Sequence, residues 1–561
     1  MIGLNKIGLN QVQLNRLRLN APFPAYGKMA GGGGSGDGFP QLPGDVTRWH
    51  FGGLTNEMMA AMDDPRIEDA DGKGRFLSFK NFAWKEGSGI SDIYPGALVF
   101  DGVDDWAGCD NLPLLPKEKG YSIIALRNWI TRYDATQYKR PLISNLDTND
   151  EGAFLIEYRK DENVNDVTGS YNSFTDVYID DNNPITWQTS SSYNGQIIKK
   201  GTSKSTNKLC ICKTYFGQLS NYANAAIWEI VILDHDATEE ELTKIKDYFV
   251  KTYPWLFPDQ AWTVTGKTNE DEDRATIANI TGNGNNLVLS NFGFAEGSGY
   301  GLYKLNFNNW FANSGSGNVN IVNPHKIVLE QSQEAVGAFF LGKNVSYSGE
   351  LKISVSNKPS DIELSFGSSA LGKVVLNEGI NICKINPVNT SIGFFTNKAF
   401  EAQNIIIEQI PEYEGYLITD GVDDKITSST FEMGNDWTVI GDWELINTGK
   451  NDNAGIVKFD SIVIYNYNPI LINIKNGRNN LIPDQNTVNA ICSDGRIYSK
   501  DWKESIYNEE TESTSKNLLT IGYSGNSYTK IAFKNLAIYP TVLSKEDCIK
   551  AYNYLQTLKA K

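Results

Sequence analysis

Asp101-Gly-Val-Asp-Asp105 recurs as Asp420-Gly-Val-Asp-Asp424, and this pentapeptide is the fixed point from which the fold is read. Upstream, Glu86-Gly-Ser-Gly89 matches Glu296-Gly-Ser-Gly299, each preceded by a related stretch, Leu77-Ser-Phe-Lys-Asn-Phe-Ala-Trp84 and Leu289-Ser-Asn-Phe-Gly-Phe-Ala295. Downstream, Ala226-Ile-Trp-Glu-Ile-Val-Ile-Leu233 leads into Thr238-Glu-Glu-Glu-Leu242. Ala532-Phe-Lys-Asn-Leu-Ala-Ile-Tyr539 leads without a gap into Ser544-Lys-Glu-Asp-Cys548. One module is therefore used twice.

Within each module, short runs alternate apolar and polar residues, as in Tyr121-Ser-Ile-Ile-Ala-Leu-Arg127 and Ala153-Phe-Leu-Ile-Glu-Tyr158, and turns rich in Asn, Asp and Gly separate them. That pattern predicts antiparallel β-sandwiches, an all-β chain. One helix per module is expected near its end. Thr238 with Glu241, and Ser544 with Asp547, have capping-box spacing, the shorter Asp being the weaker partner. Leu242, Ile245 and Phe249 share one face of the first helix, matched by Cys548, Ala551 and Leu555 in the second.

The copies differ in spacing. Between Glu-Gly-Ser-Gly and Asp-Gly-Val-Asp-Asp lie residues 90–100 in the first and 300–419 in the second. The additional stretch carries its own strand patterns, Glu350-Leu-Lys-Ile-Ser-Val-Ser356, Asp361-Ile-Glu-Leu-Ser-Phe366 and Asn404-Ile-Ile-Ile-Glu-Gln409, so it reads as a β-sandwich inserted at a surface turn. The expected layout is a repetitive segment over 1–26, a Gly-rich tether over 27–44 and a first jelly roll over 45–265. A second jelly roll follows over 266–300 and 413–561, with the inserted sandwich over 301–412.

The N-terminal segment repeats every five residues, with Ile2, Leu4, Asn5, Ile7, Leu9, Asn10, Leu14, Asn15, Leu19 and Asn20 at its recurring places. That period does not suit an amphipathic helix. It suits a short extended or coiling β segment that turns at each Asn and needs a partner surface or symmetry mates to bury its apolar side. An anchor, a flexible glycine tether and a globular body follow in that order.

A net charge of −16 and a pI near 4.9 argue against nucleic acid and anionic membranes as partners. No run approaches the roughly 18 apolar residues that span a bilayer, and the start lacks the pattern of a secretory signal. The six scattered cysteines read as reduced thiols, with Cys210 and Cys212 on one face of a strand. Three histidines leave little material for a histidine-based metal site.

Asp104, Asp105, Asp423 and Asp424 could supply oxygen ligands to calcium, but their spacing is not that of an EF-hand loop, and a strand-to-turn role is simpler. No carboxylate pair stands out for glycoside hydrolysis, and no nucleophile elbow, P-loop, zinc-protease or dinucleotide motif is present, so no catalytic residue and no cofactor are expected. Aromatic rings beside Asn, Asp and Gln are what sugar-binding surfaces use. Tyr171, Trp187 and Tyr193 are candidates in the first module, and Tyr300, Tyr303 and Trp310 near the insertion.

Together, the Asp-Gly-Val-Asp-Asp strand end, the central strands Tyr121-Ser-Ile-Ile124 and Trp437-Thr-Val-Ile440, and the late strand followed by a capped helix resemble laminin-G-like, concanavalin-A-like jelly rolls. The whole layout is similar to fibre proteins of crAss-like bacteriophages of Bacteroides. That resemblance implies a virion protein, made in the host cytoplasm, docked by its N-terminus on a capsid or other virion protein. A head position is favoured over a tail position, because a shaft is missing. It also implies a homotrimer displaying lectin-like domains toward host glycans. The alternatives are a bacterial surface or secreted glycan-binding adhesin and, less favoured, a polysaccharide-cleaving tailspike.

Overall fold

The structure is a computed structural model. It describes residues 38–560 except 116–120, 132–138, 148–154, 160–173, 176–184, 190–205, 218–220, 236, 313–316, 333–337, 401–403, 447–454, 460–461, 466–470, 475–477, 482–487, 507–516 and 525–526. The fold is all-β, as the alternation predicts. The anchoring residues of 1–26 lie outside the described part.

The chain divides into two compact units, 1–257 and 258–561. In the first, a six-stranded sheet centred on Asn224–Leu233 and Ser122–Thr131 faces a seven-stranded sheet that includes Trp106–Cys109, Phe76–Lys80 and Leu209–Ile211. The core forms where their inward residues meet. Leu77, Phe79, Ala107, Leu209 and Ile211 come from one sheet, and Phe100, Ile123, Ala125, Ile227 and Ile230 from the other. Phe76–Lys80 alternates buried and open positions with the two-residue period of a pleated strand, whereas the central strands Ser122–Thr131 and Asn224–Leu233 are buried along nearly their whole length.

The second unit repeats this plan around Ile531–Tyr539 and Thr438–Leu445, with Lys425–Phe431 and Asn517–Ile521 on the facing sheet. Its first strand, Gln260–Thr263, pairs with Ile531–Tyr539 as Val46–His50 pairs with Asn224–Leu233. Residues 258–265 therefore belong to the second sandwich and not, as expected, to the first. Trp262 is the counterpart of Trp49. Each indole is fully buried and donates to a backbone carbonyl, of Asn285 at 2.7 Å and of Arg75 at 3.1 Å.

The insertion point is visible in the ladder. In the first unit Gly89 lies opposite Val99 and Ile90 opposite Leu98, joined by a short turn. In the second, Gly299 lies opposite Ile418 and Tyr300 opposite Leu417, and the chain leaves between them, with Leu302 facing Glu412. The inserted stretch makes two five-stranded sheets with their own core, which includes Phe307, Trp310, Ile353, Phe366, Phe394 and Ile407.

The helices Glu239–Thr252 and Lys545–Leu555 are capped by Thr238 and Ser544. Thr238 forms the full reciprocal box. Ser544 accepts from the Asp547 amide, but the shorter Asp carboxylate bonds the Ser544 hydroxyl instead of reaching back to the cap amide. Ile245, Tyr248 and Phe249 are buried on the first helix and Cys548, Ala551, Tyr554 and Leu555 on the second; Leu242 is only half-buried. A short helix, Asn56–Ala60, was not expected. Cys210 and Cys212 do not share a strand face: the strand ends at Ile211, and Cys212, at φ +57°, turns into the core beside Leu209 and Ile211, whereas Cys210 points to the other face. All six cysteines are buried and unbridged. Among the described residues no helix is long and apolar enough to cross a membrane.

Candidate functional site

The repeated pentapeptide closes the strand Leu98–Asp101 and starts the next, Trp106–Cys109. Asp101 Oδ1 accepts from the amides of Val103, Asp104 and Asp105 at 2.8–3.2 Å, and Asp420 Oδ1 does the same for Val422, Asp423 and Asp424 at 2.7–3.3 Å. The last Asp reaches back: Asp105 Oδ2 accepts from the Asp101 amide at 3.1 Å and Asp424 Oδ2 from the Asp420 amide at 2.7 Å. Ser298 donates its hydroxyl to Asp424 at 2.8 Å, and Ser88 bonds Asp105 in the same way. The Ser of Glu-Gly-Ser-Gly and the final Asp of the pentapeptide are thus two halves of one buried joint.

Glycine is required in this joint for two separate reasons. Gly102 and Gly421 sit at φ +75° and +76°, and a Cβ on either would press on the chain that enters the neighbouring strand, 2.8 Å from Asn224 Cβ and 3.1 Å from the Lys530 amide. Gly89 and Gly299 leave room for a side-chain amide: a Cβ there would lie 2.3 Å from Asn56 Oδ1 and 2.4 Å from Asn269 Oδ1. Each Asn pairs with the backbone of the next residue in both directions, Asn56 with Ile90 at 2.7 and 2.8 Å and Asn269 with Tyr300 at 2.7 and 3.2 Å.

Burial dominates the electrostatics. Asp105 and Asp424 are enclosed, and each leaves Oδ1 without a described partner. Desolvation pushes Asp105 up to about 7 and Asp424 to about 6, with neighbouring acids adding to the effect and the serine bonds opposing it. The three acids of each turn come within 4.8 Å of one another. One oxygen of the first Asp and one of the last accept the turn's own amides, which is the geometry of a self-capped turn.

The proposed sugar-binding aromatics fare differently. Tyr171 and Tyr193 lie outside the described residues, as does the side chain of Trp187, whose strand Ile185–Thr189 pairs with Ser122–Thr131. Tyr300 and Trp310 are 4 % and 7 % exposed and belong to the cores of the second sandwich and the insertion. Neither is a surface ring: each follows a turn that folds it inward, Tyr300 donating its hydroxyl to the Arg274 carbonyl. Tyr303 is half-buried and has His325 stacked on its face, centroids 3.4 Å apart.

The structure brings forward a different set. On the outward side of the strand after the first acidic turn, Trp106 and Phe216 meet edge to face at 5.6 Å, with Lys213 Nζ 4.0 Å from the indole centroid and Lys208 Nζ 4.9 Å from the phenyl centroid. After the second turn, Lys425 Nζ lies 4.8 and 5.7 Å from the Tyr523 and Tyr528 centroids. The sequence carries a partial signal for them, because Trp106 and Lys425 occupy the position directly after the repeated pentapeptide. Their partners come from segments far along the chain, flanking Leu209–Ile211 or following Asn517–Ile521, which only the tertiary structure identifies.

No protein-family model matches this chain, and no curated protein does. Among solved structures it is matched to the N-terminal CBM22-1–CBM22-2 tandem domain from Paenibacillus barcinonensis Xyn10C, at 7 % identity over 44 % of this chain and 99 % of that one, with a TM-score of 0.13. A TM-score that low adds nothing on fold or function.

Proposed function

We propose that this chain is a non-enzymatic virion fibre or decoration protein, attached through its N-terminal repeats, favouring the head, and displaying lectin-like sandwiches toward glycans. One observation carries the reading: the polar residues that the two modules share are occupied in holding their own backbone. Asn56 and Asn269, Ser88 and Ser298, and Asp105 and Asp424 all bond turns and strand ends. What the duplication preserves is a display scaffold, and ligand recognition falls to the outward sheet faces. The likeness to laminin-G-like jelly rolls and the Ile-Gly-Leu-Asn repeats before a glycine tether support the same picture. It requires no cofactor: the melting temperature is expected to stay the same in excess calcium and in chelator.

The test is incorporation into particles. A chain lacking residues 1–30 should fold and be absent from purified virions. Its undiminished incorporation would overturn the anchor, and failure of the full chain to retain any glycan would remove the lectin-like role.

A further inference from the structure

The outward residues that follow the two acidic turns have a relationship that the paired sequences alone do not reveal. Ile211 lies opposite Ala107, and Ile521 opposite Ile426, so these positions are equivalent. The next residues, Cys212 and Gly522, both take positive φ, +57° and +76°, and their carbonyls accept from the amides of Ala223 and Thr529. The residues that come next, Lys213 and Tyr523, lie just past the last paired positions, and their side chains meet Trp106 and Lys425 of the neighbouring strand. In the first module the ring is on the strand after the acidic turn and the lysine lies just beyond the end of its neighbour. In the second the members have changed places. The cation–π pair has survived the divergence of the copies although neither residue identity has.

Core packing does not explain this, since Ala107 and Ile426 point inward and their neighbours Trp106 and Lys425 point out. The charge is also unusual. Lys213 is only 6 % exposed, yet no ion pair joins Lys213, Lys208 or Lys425 to a carboxylate among the described residues. An enclosed ammonium stacked on an indole has lost hydration that a ring face restores only in part. Gly108 completes the first platform. A Cβ there would lie 2.6 Å from the Trp106 ring and 2.9 Å from the Phe216 ring, so its absence lets both rings settle over the strand.

We propose that the two aromatic–lysine pairs are binding sites for acidic saccharides. A uronic-acid ring lies against the half-exposed edges of Trp106 and Phe216, or of Tyr523 and Tyr528, and its carboxylate pairs with Lys213 and Lys208, or with Lys425. This rests on the glycan-binding reading above and names its ligand class.

The experiment uses the full chain, with affinity electrophoresis in polygalacturonate, alginate and hyaluronan, and in the carboxyl-reduced form of each. The wild type should be retarded by at least one acidic polymer and released by its reduced form. The charge-only variant Lys213→Gln/Lys425→Gln should lose about tenfold in affinity. Lys425→Gln alone, at a half-exposed position, provides a readout should Lys213→Gln unfold the first sandwich, and should lose part of the binding. Equal retention of acidic and reduced polymers, or undiminished binding by the double variant, would overturn the acidic-saccharide site and leave the glycan reading standing. Absence of retardation in every acidic polymer also overturns the site; only a chain that retains no neutral glycan either sinks the reading beneath it.

Discussion

At the scale of single residues, the repeated Asp-Gly-Val-Asp-Asp is a mechanical part. Gly102→Ala and Gly421→Ala must both strain a left-handed backbone and displace the strand entry beside it, so each is expected to cost about 2 kcal/mol or more in denaturant unfolding. Gly297→Ala has the strained φ of +80° but open space around its Cβ, and should cost about 1 kcal/mol. Asp105 and Asp424 give the pH dependence its sign. Their folded values, about 7 and about 6, stand above the 3.8 of an exposed Asp. The fold therefore favours the uncharged acid, a contribution fully present at acid pH and lost as pH rises through 6 to 7. Stability measured by urea titration should fall between about pH 4 and 7 and level off above, and Asp105→Asn should flatten the part of that slope assigned to the first module. A slope unchanged in the variant would refute the assignment.

At the scale of elements, each module ties its terminal helix to the sandwich through a hydroxyl and a cap. Ser122 donates to the His235 carbonyl and accepts from the Ala237 amide; Thr438 does the same with Thr541 and Leu543. Removing the cap with Thr238→Ala should cost about 1 kcal/mol. The copies diverge at the next layer. In the first, Glu229 lies buried in the central strand, bonded to Arg48 at 2.9 Å and to Tyr253 at 2.9 Å, with Tyr248 at 3.3 Å. In the second, Asn535 and Ala261 stand in those places. Arg48→Ala would leave the Glu229 charge buried without its cation and is expected to cost about 3–5 kcal/mol. Ala at the corresponding position of the second unit is already the native state, so the pair is an acquired lock of the first helix and not a requirement of the fold.

At the scale of the whole molecule, the insertion is a domain grafted across a turn. Leu302 faces Glu412, so the two ends of the graft lie side by side in a ladder. Replacing residues 301–416 with the seven residues 91–97 should therefore leave the second sandwich folded, since the pairing of Gly299 with Ile418 has its model in that of Gly89 with Val99. Retention of the wild-type melting transition of the second unit, with loss of the one from the insertion, is the expected calorimetric result. An unfolded second unit would show that the insertion has become part of its core.

Much of this could be read directly from the residues, because local rules suffice for it. Two-residue alternation marks strands, a hydroxyl three residues before an acid marks a helix start, and a repeated string marks a repeated module. The sequence by itself thus determined an all-β chain built on a duplicated unit, and the place where the spacing of the copies differs. It did not determine where the first unit ends. Gln260–Thr263 is a strand on either reading, and only its pairing with Ile531–Tyr539 shows which core Trp262 enters. Nor could it tell a surface ring from a core ring, since Tyr300 and Trp310 sit among polar neighbours yet fold inward. The aromatic–lysine pairs were decided by tertiary structure for the same reason. Trp106 and Lys213 are more than a hundred residues apart, and the cation meets the ring only because the pairing of Leu209–Ile211 with Trp106–Cys109 brings the two segments together.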